Sequence, residues 1–326
     1  MKILVVRFSS IGDIVLTSSV VRAIKQQLPT TELHFLTKEQ FSGIVADNPH
    51  VDRVFTMKKS IDEVVGELKK ENYDWVVDLH NNIRTISLKR KLGVKSTTFN
   101  KLNIRKFFLV KFKLNRMPKM HVVERYFDAV KPLGVKNDNL PGDYFIPEKD
   151  KVDTLTELAM NPSEYVSLAI GAQFKTKQMP VNLLVEIANA STKSVVIVGG
   201  MMDRNVALEV LAKTTNKHVI NTCGDYNLNQ SASIVAQSHK LVTNDTGMMH
   251  IAACFGIPIV SVWGNTTPDL GMYPYYPSHP EKFSIHQVEG LNCRPCSKIG
   301  FQECPKKHFK CMNEQNVEEI VKAVNG

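Results

Sequence analysis

The sequence of 326 residues contains no apolar run near the roughly 20 residues that a membrane-spanning helix needs. Its apolar runs are strand-sized, as from Ile257 to Val260. No small-residue cleavage site follows Met1-Lys2-Ile3-Leu4-Val5-Val6-Arg7, and Arg7 breaks the apolar run. That segment reads as a buried strand and not as a signal peptide, so the expected location is cytoplasmic. There is no Gly-x-Gly-x-x-Gly after the first strand and no Lys-Ser/Thr ending to its loop. These absences exclude a dinucleotide fingerprint and a P-loop, and they disfavour a dehydrogenase. No tandem repeat or low-complexity tract occurs. Acidic residues are missing altogether between Arg84 and Lys119, where twelve basic residues fall.

Apolar residues make up 43% and charged residues 22%, which excludes disorder, collagen and coiled coil as descriptions of the whole chain. The length exceeds what one hydrophobic core usually organises, so two domains are expected. Net charge is +9, from 41 Lys and Arg against 32 Asp and Glu, and the acid-free block accounts for more than all of it. Such a block points to an anionic partner: phosphorylated lipid, anionic membrane surface or nucleic acid. The plainer alternative is a solvated face.

Strand-like runs alternate with helix-length segments in both halves. The first half offers strands at 2–9, 32–37, 52–57 and 73–80, with a helix predicted over 13–28 and closed by Pro29. The second offers strands at 165–172, 194–200, 218–224, 240–244 and 257–264, with helices at 182–190, 203–213, 229–237 and 248–255. Strands apolar on both faces imply a parallel sheet covered on both sides. The pattern occurs twice, so two Rossmann-like domains are expected, 1–150 and 151–326, with the break in the Pro- and charge-rich stretch 137–162. Ligands of such folds bind beyond the carboxyl ends of the strands, and with two domains also in the cleft between them.

The loop Asn244-Asp245-Thr246-Gly247-Met248-Met249-His250 carries the most information. It follows a strand and opens an apolar helix, so Thr246 and Gly247 can present backbone N–H groups to an anion. Asp245 is suited to sugar hydroxyls, and His250 sits one turn further on. Plain N-capping by Asp245 or Thr246 is the competing reading. Asp13 opens the first helix and is either a cap or a carboxylate able to take a proton from a substrate hydroxyl. Lys177, in the loop between Gly171 and Pro180, is suited to neutralising a diphosphate, or is a solvated loop lysine.

The segment Asn244-Asp245-Thr246-Gly247-Met248-Met249-His250-Ile251-Ala252-Ala253 resembles the hallmark of the heptosyltransferase family, glycosyltransferase family nine. Phe255-Gly256-Ile257-Pro258-Ile259-Val260 and Trp263-Gly264-Asn265-Thr266-Thr267-Pro268 resemble the strand and turn that follow. Gly171-Ala172 with Lys177 and Pro180, Ser9-Ser10-Ile11-Gly12-Asp13-Ile14-Val15, and His121-Val122-Val123-Glu124-Arg125-Tyr126 resemble further family segments in the same order. The resemblance covers nearly the whole chain. It implies a GT-B fold, two Rossmann-like α/β domains facing each other across a cleft. It also implies inverting transfer of a sugar, heptose in this family, from ADP-heptose to a lipid A-linked lipopolysaccharide inner-core acceptor, with no metal or other cofactor. By the same resemblance Asp13 matches the general base. Lys177, Asp203, Asp245, Thr246, Gly247 and His250 match the donor side, and Ser10, Arg84, Lys89 and Arg90 the acceptor side. Met179 stands where the family has Trp, Asn265 where Pro is common, and Asn81-Asn82 where a Gly-containing turn is usual.

The basic block then gains a purpose. Phe99, Phe107, Phe108, Leu109, Val110 and Phe112 are interleaved with its cations, which suits the anionic inner-membrane surface carrying a lipid-linked acceptor. An ordinary helix burying its phenylalanines is the alternative. Cys223 and Cys254 read as small buried hydrophobes. Cys293, Cys296, Cys304 and Cys311 form one Cys-x2-Cys knuckle with a looser second pair, read either as structural zinc or as reduced thiols. Three other functions compete. A nucleotide-sugar epimerase or hydrolase of the same architecture would need no acceptor, and another surface glycan could receive another sugar. A nucleic-acid-binding protein would use the basic block but leaves the strand-end loops without a role.

Overall fold

The computed structural model describes residues 1–326. Eleven strands form two sheets. β1 (Lys2–Val6), β2 (Glu32–Lys38), β3 (Arg53–Met57), β4 (Trp75–Asp78) and β5 (Lys95–Thr98) form a five-stranded sheet in the order β3-β2-β1-β4-β5. β6 (Tyr165–Ala169), β7 (Ser194–Val198), β8 (Val219–Asn221), β9 (Lys240–Asn244), β10 (Ile259–Trp263) and β11 (Phe283–Gln287) form a six-stranded sheet in the order β11-β10-β9-β6-β7-β8. All pairings are parallel. Each order reverses beside its first strand, between β1 and β4 in one sheet and between β6 and β9 in the other. Those are the switch points at which doubly wound folds bind ligands. Two Rossmann-like α/β units result, the GT-B composition that the resemblance implies.

Strand sequence explains the layering. In β6 Val166 and Leu168 pack into one apolar cluster, with Val195, Ile197 and Val242, while Tyr165 and Ala169 pack into the other, with Val196, Val198 and Leu241. Both faces of the strand are therefore buried, at roughly 1.5–3 kcal/mol for each large apolar side chain. β5, with sequence Lys-Ser-Thr-Thr, is a largely exposed edge strand and carries no apolar signal for a sequence reading to find. The predicted helix over 13–28 is two helices, Ile11–Val15 and Ser18–Gln27. It breaks where the Thr17 and Ser18 hydroxyls donate to the carbonyls of Ile14 and Val15, each at 2.7 Å.

The two units are not the contiguous halves 1–150 and 151–326 expected from sequence. The first comprises Met1–Leu102 and Met120–Phe145, the second Asn103–Lys119 and Ile146–Gly326. The acid-free basic block is thereby divided, and its part from Arg105 to Lys119 belongs to the second unit. The physical tie is Lys113. Its ammonium donates to the carbonyls of Val110 at 2.8 Å, Cys293 at 3.2 Å and Pro295 at 2.6 Å.

Two residues at strand ends set stability. A Cβ on Gly264, just past β10, would lie 2.8 Å from the Thr176 carbonyl oxygen and 2.8 Å from Met312 Cε. Methionine can yield but backbone cannot, so Gly264→Ala is expected to cost about 1–3 kcal/mol in chemical unfolding. An unchanged midpoint would show that the 176 segment gives way freely. His80, past β4, packs at a tilt against Phe8 with ring centroids 4.9 Å apart. Burial, aided by the charges of Arg7 and Lys101, pushes its pKa down to about 3. The unfolded imidazole titrates near 6.5, so between those values only the unfolded chain binds the proton, and stability falls as pH is lowered. From pH 7 to pH 5 the loss from this group is about 2 kcal/mol. His80→Asn should flatten the pH dependence of urea unfolding by that amount, and an unchanged slope would remove the assignment.

Candidate active site

In the second unit the side chain of Asn244 joins the two strand ends at the switch point. Its amide donates to the carbonyls of Ile170 at 3.1 Å and Gly171 at 3.4 Å, and its oxygen accepts from Met179 N–H at 3.1 Å. Asn244 is fully buried. The loops after β6 and β9 are thus held in one register. Lys177, in the short 3-10 turn Lys175–Lys177, pairs with Asp245 across this junction at 2.7 Å. The same Asp245 oxygen accepts from the Thr266 hydroxyl at 2.9 Å. Thr266 was not singled out from sequence as a site residue, because nothing in a loop threonine announces which carboxylate it will meet.

Thr246 caps the helix Gly247–Cys254, its hydroxyl accepting from Met248 N–H at 3.0 Å. The first N–H groups of a helix have no partner within it, so this end presents donors and a positive dipole beside the Lys177–Asp245 pair. His250 is 2% exposed and sits inside that helix, behind the loop. Met179 is also buried, among Leu183, Leu184 and Val242, so the residue standing in place of the family's Trp is core.

Asp203 reaches the same strand ends by steric complementarity. Its carboxylate accepts from Gly200 N–H at 2.9 Å and from the Gln178 amide at 3.5 Å. A Cβ on Gly171 would lie 2.4 Å from Asp203 Oδ2, and one on Gly199 would lie 3.0 Å from Asp203 Cβ. Both glycines are the space that the aspartate occupies. Burial pushes the Asp203 carboxyl above its ordinary value, against the opposing Gly200 N–H.

In the first unit Asp13 lies in the first turn of Ile11–Val15, at the carboxyl end of β1. Arg7 pairs with it at 2.6 Å, and the Ser10 hydroxyl and N–H donate to its other oxygen at 2.9 and 3.3 Å. Arg7 is 6% exposed, donates to the carbonyls of Ser9 and Leu79, and lies against the rings of Phe99 and Tyr126. Burial opposes its charge, but Asp13, Tyr126 and Asp78 more than offset it, so its pKa lies above the ordinary value. Burial likewise pushes the Tyr126 phenol up. Sequence reading took Arg7 only as an interruption of an apolar run, and so missed the cation that positions Asp13.

The expected acceptor-side residues divide. Ser10 is exposed but holds Asp13. The Arg84 guanidinium lies 5.3 Å over the Phe8 ring, which brings it to the end of β1. Lys89 pairs with buried Asp78 at 2.8 Å, at the end of β4. Arg90 is exposed. The four clustered cysteines are free thiols. The Cys296 thiol donates to the Cys293 carbonyl at 3.0 Å, and Cys293 Sγ lies 3.9 Å from His308 Nε2. Burial pushes Cys296 up to about 11 and Cys311 up to about 12, which keeps both protonated. No trio of ligand atoms from this cluster comes within 4.8 Å of one another. The trio that does is Glu32, His34 and Glu71. Lys2 already fills it, 3.1 Å from Glu32 and 2.8 Å from Glu71.

Residues 62–307 match the sequence profile of glycosyltransferase family 9 (heptosyltransferase). The chain is 25% identical over 298 residues to lipooligosaccharide heptosyltransferase 2 of Haemophilus ducreyi, covering 82% of this chain and 84% of that protein. It is 24% identical over 294 residues to lipopolysaccharide heptosyltransferase 2 of Escherichia coli K12, covering 83% and 84%. Among solved structures, a glycosyltransferase family 9 protein from Veillonella parvula superposes with a TM-score of 0.79 at 22% identity, over 99% of this chain and 95% of that one. ADP-heptose lipopolysaccharide heptosyltransferase II of E. coli superposes with a TM-score of 0.69 at 20% identity, over 99% of each chain. The matched profile spans three quarters of the sequence and includes the whole Lys177–Asp245–Thr266 constellation: the chain belongs to glycosyltransferase family 9, the heptosyltransferase family, and is a glycosyltransferase.

Proposed function

We propose that this protein transfers heptose from ADP-heptose to the lipopolysaccharide inner core, with inversion at the transferred carbon. The observation that carries the reading is the pairing of Lys177 with Asp245 beside the amino terminus of the helix Gly247–Cys254. A diphosphate leaving group needs cations and N–H donors where its charge develops. Lys177 supplies the first and the Thr246–Gly247 end the second, with the diphosphate drawing Lys177 from Asp245 and freeing that carboxylate for sugar hydroxyls. Asp203, among its glycines, takes the ribose hydroxyls. The acceptor oxygen forms a bond to the sugar's anomeric carbon as the bond to the diphosphate breaks. ADP leaves with the electron pair, and the acceptor's proton passes to Asp13. Arg7 and Ser10 keep that carboxylate ionised and oriented until the proton arrives.

The acceptor would be an anionic lipid-linked glycan, which places the enzyme on the cytoplasmic face of the inner membrane without crossing it. No helix is long and apolar enough to span a membrane. The helix Asn103–Phe112 and the turn after it expose Ile104 (75%), Phe107 (53%), Phe112 (54%) and Leu114 (49%). Around them lie Arg105, Lys106, Lys111, Arg116 and Lys119, with no acidic residue. Apolar side chains ringed by cations suit an anionic lipid interface, each cation contributing about 1 kcal/mol.

Asp13→Asn is expected to lower kcat by roughly 10²–10⁴ while leaving the KM for ADP-heptose nearly unchanged. Lys177→Ala should instead raise the KM for ADP-heptose. Steady-state assays with both substrates separate the two, and full turnover by Asp13→Asn would return Asp13 to capping alone. Release of ADP without acceptor, at the same rate as with it, would favour a hydrolase. Phe107→Ser with Phe112→Ser should weaken sedimentation with phosphatidylglycerol vesicles and remove the salt-resistant part of binding. Equal binding by the double variant would overturn the membrane reading.

A further inference from the structure

We propose that Arg294 is a positioning residue for the Lys177–Asp245 pair, acting through Thr266. The inference deepens the donor-site reading above and rests on it for its kinetic consequences.

β10 ends at Trp263, and the loop that follows has left the sheet when it reaches Thr266. Its carbonyls are bound by the segment beyond β11. The Trp263 carbonyl accepts from the Gln315 amide at 3.1 Å, the Asn265 carbonyl from Cys296 N–H at 2.9 Å, and the Thr266 carbonyl from Arg294 Nη2 at 2.8 Å. Arg294 is in turn anchored away from the loop. Its Nη1 donates to the Val288 carbonyl at 2.9 Å, and Nη2 also to the Gln287 side-chain oxygen at 2.9 Å. The guanidinium is therefore a strut from the end of β11 to the backbone of Thr266. The Thr266 hydroxyl then fixes the Asp245 oxygen that Lys177 also contacts.

Two observations argue against an ordinary ion-pairing arginine. No carboxylate lies within ion-pair distance of Arg294, and its hydrogen bonds all go to neutral oxygens, whereas the buried Arg7 and Arg22 each hold an aspartate. A planar guanidinium holds its donors in fixed directions toward the three acceptors, which the rotating ammonium of a lysine does not. The Cys-x2-Cys knuckle around it contributes the second bond to the loop, from Cys296 N–H. Lys113 fastens that knuckle from outside through the Cys293 and Pro295 carbonyls.

The experiment uses the full-length enzyme with Arg294→Gln and Arg294→Lys. Arg294→Gln is expected to raise the KM for ADP-heptose about tenfold with kcat changed less than about threefold, and Arg294→Lys to recover only part of that loss. In an Asp245→Asn background the further effect of Arg294→Gln should shrink below about twofold, because the group it positions is already altered. The same tenfold effect in both backgrounds would overturn the proposal and make Arg294 a general stabiliser. Hydrogen exchange of the unliganded protein gives a second readout: peptides covering 244–250 and 263–267 should both exchange faster in Arg294→Gln. Faster exchange confined to 263–267 would also overturn it. If wild type shows no response to ADP-heptose and Lys177→Ala changes nothing, the donor reading has failed. The exchange result then still decides whether Arg294 holds Asp245 in place.

Discussion

The buried carboxamide of Asn244 is the interaction on which the donor side depends. Parallel strands end without turning back, so the loops after β6 and β9 have no mutual hydrogen bonds of their own. Asn244 provides them, satisfying two carbonyls from one loop and an N–H from Met179. Each such bond is worth only about 1 kcal/mol net, but losing the side chain would strand three buried backbone groups at a larger cost. Lys177 and Asp245 meet because their loops are fixed here first. Every later element, Thr266 and Arg294 included, adjusts a geometry that this residue makes possible.

The first unit solves a different problem, that of orienting a carboxylate at the end of its central strand. Arg7 does so from within β1's own extension, buried against Phe99 and Tyr126 and bonded to two backbone carbonyls. A cation so fully used cannot follow the substrate. It fixes Asp13 in direction as well as in charge, while Ser10 takes the other oxygen. His80, neutral and tilted against Phe8, lines the same strand end without adding a competing charge near neutral pH.

Much of this was legible from the amino acids because the signals were local. β9 spans the residues that its apolar run marks, and the loop after it carries cap, glycine and aspartate in consecutive positions. What escaped was set by tertiary partners. β5 holds no apolar residue and is a strand only because β4 offers it a ladder. The helix Asn103–Phe112 belongs to the second unit, where Lys113 just beyond it bonds distant carbonyls, which no window of sequence reveals. Lys89 looked like one more cation of the basic block, and its commitment depends on Asp78 lying buried beside it. Gly171 carried no local signal of its reason, which is the volume of Asp203.

The interleaving of the two units has a consequence for biosynthesis. Residues 103–119 leave the ribosome long before the cysteine loop whose carbonyls Lys113 binds. During that interval Phe107, Phe112 and their basic neighbours wait on a nascent chain whose first unit already has its sheet strands. The segment can take its place only after residues 293–295 have been made, so the second unit is completed from both directions along the chain.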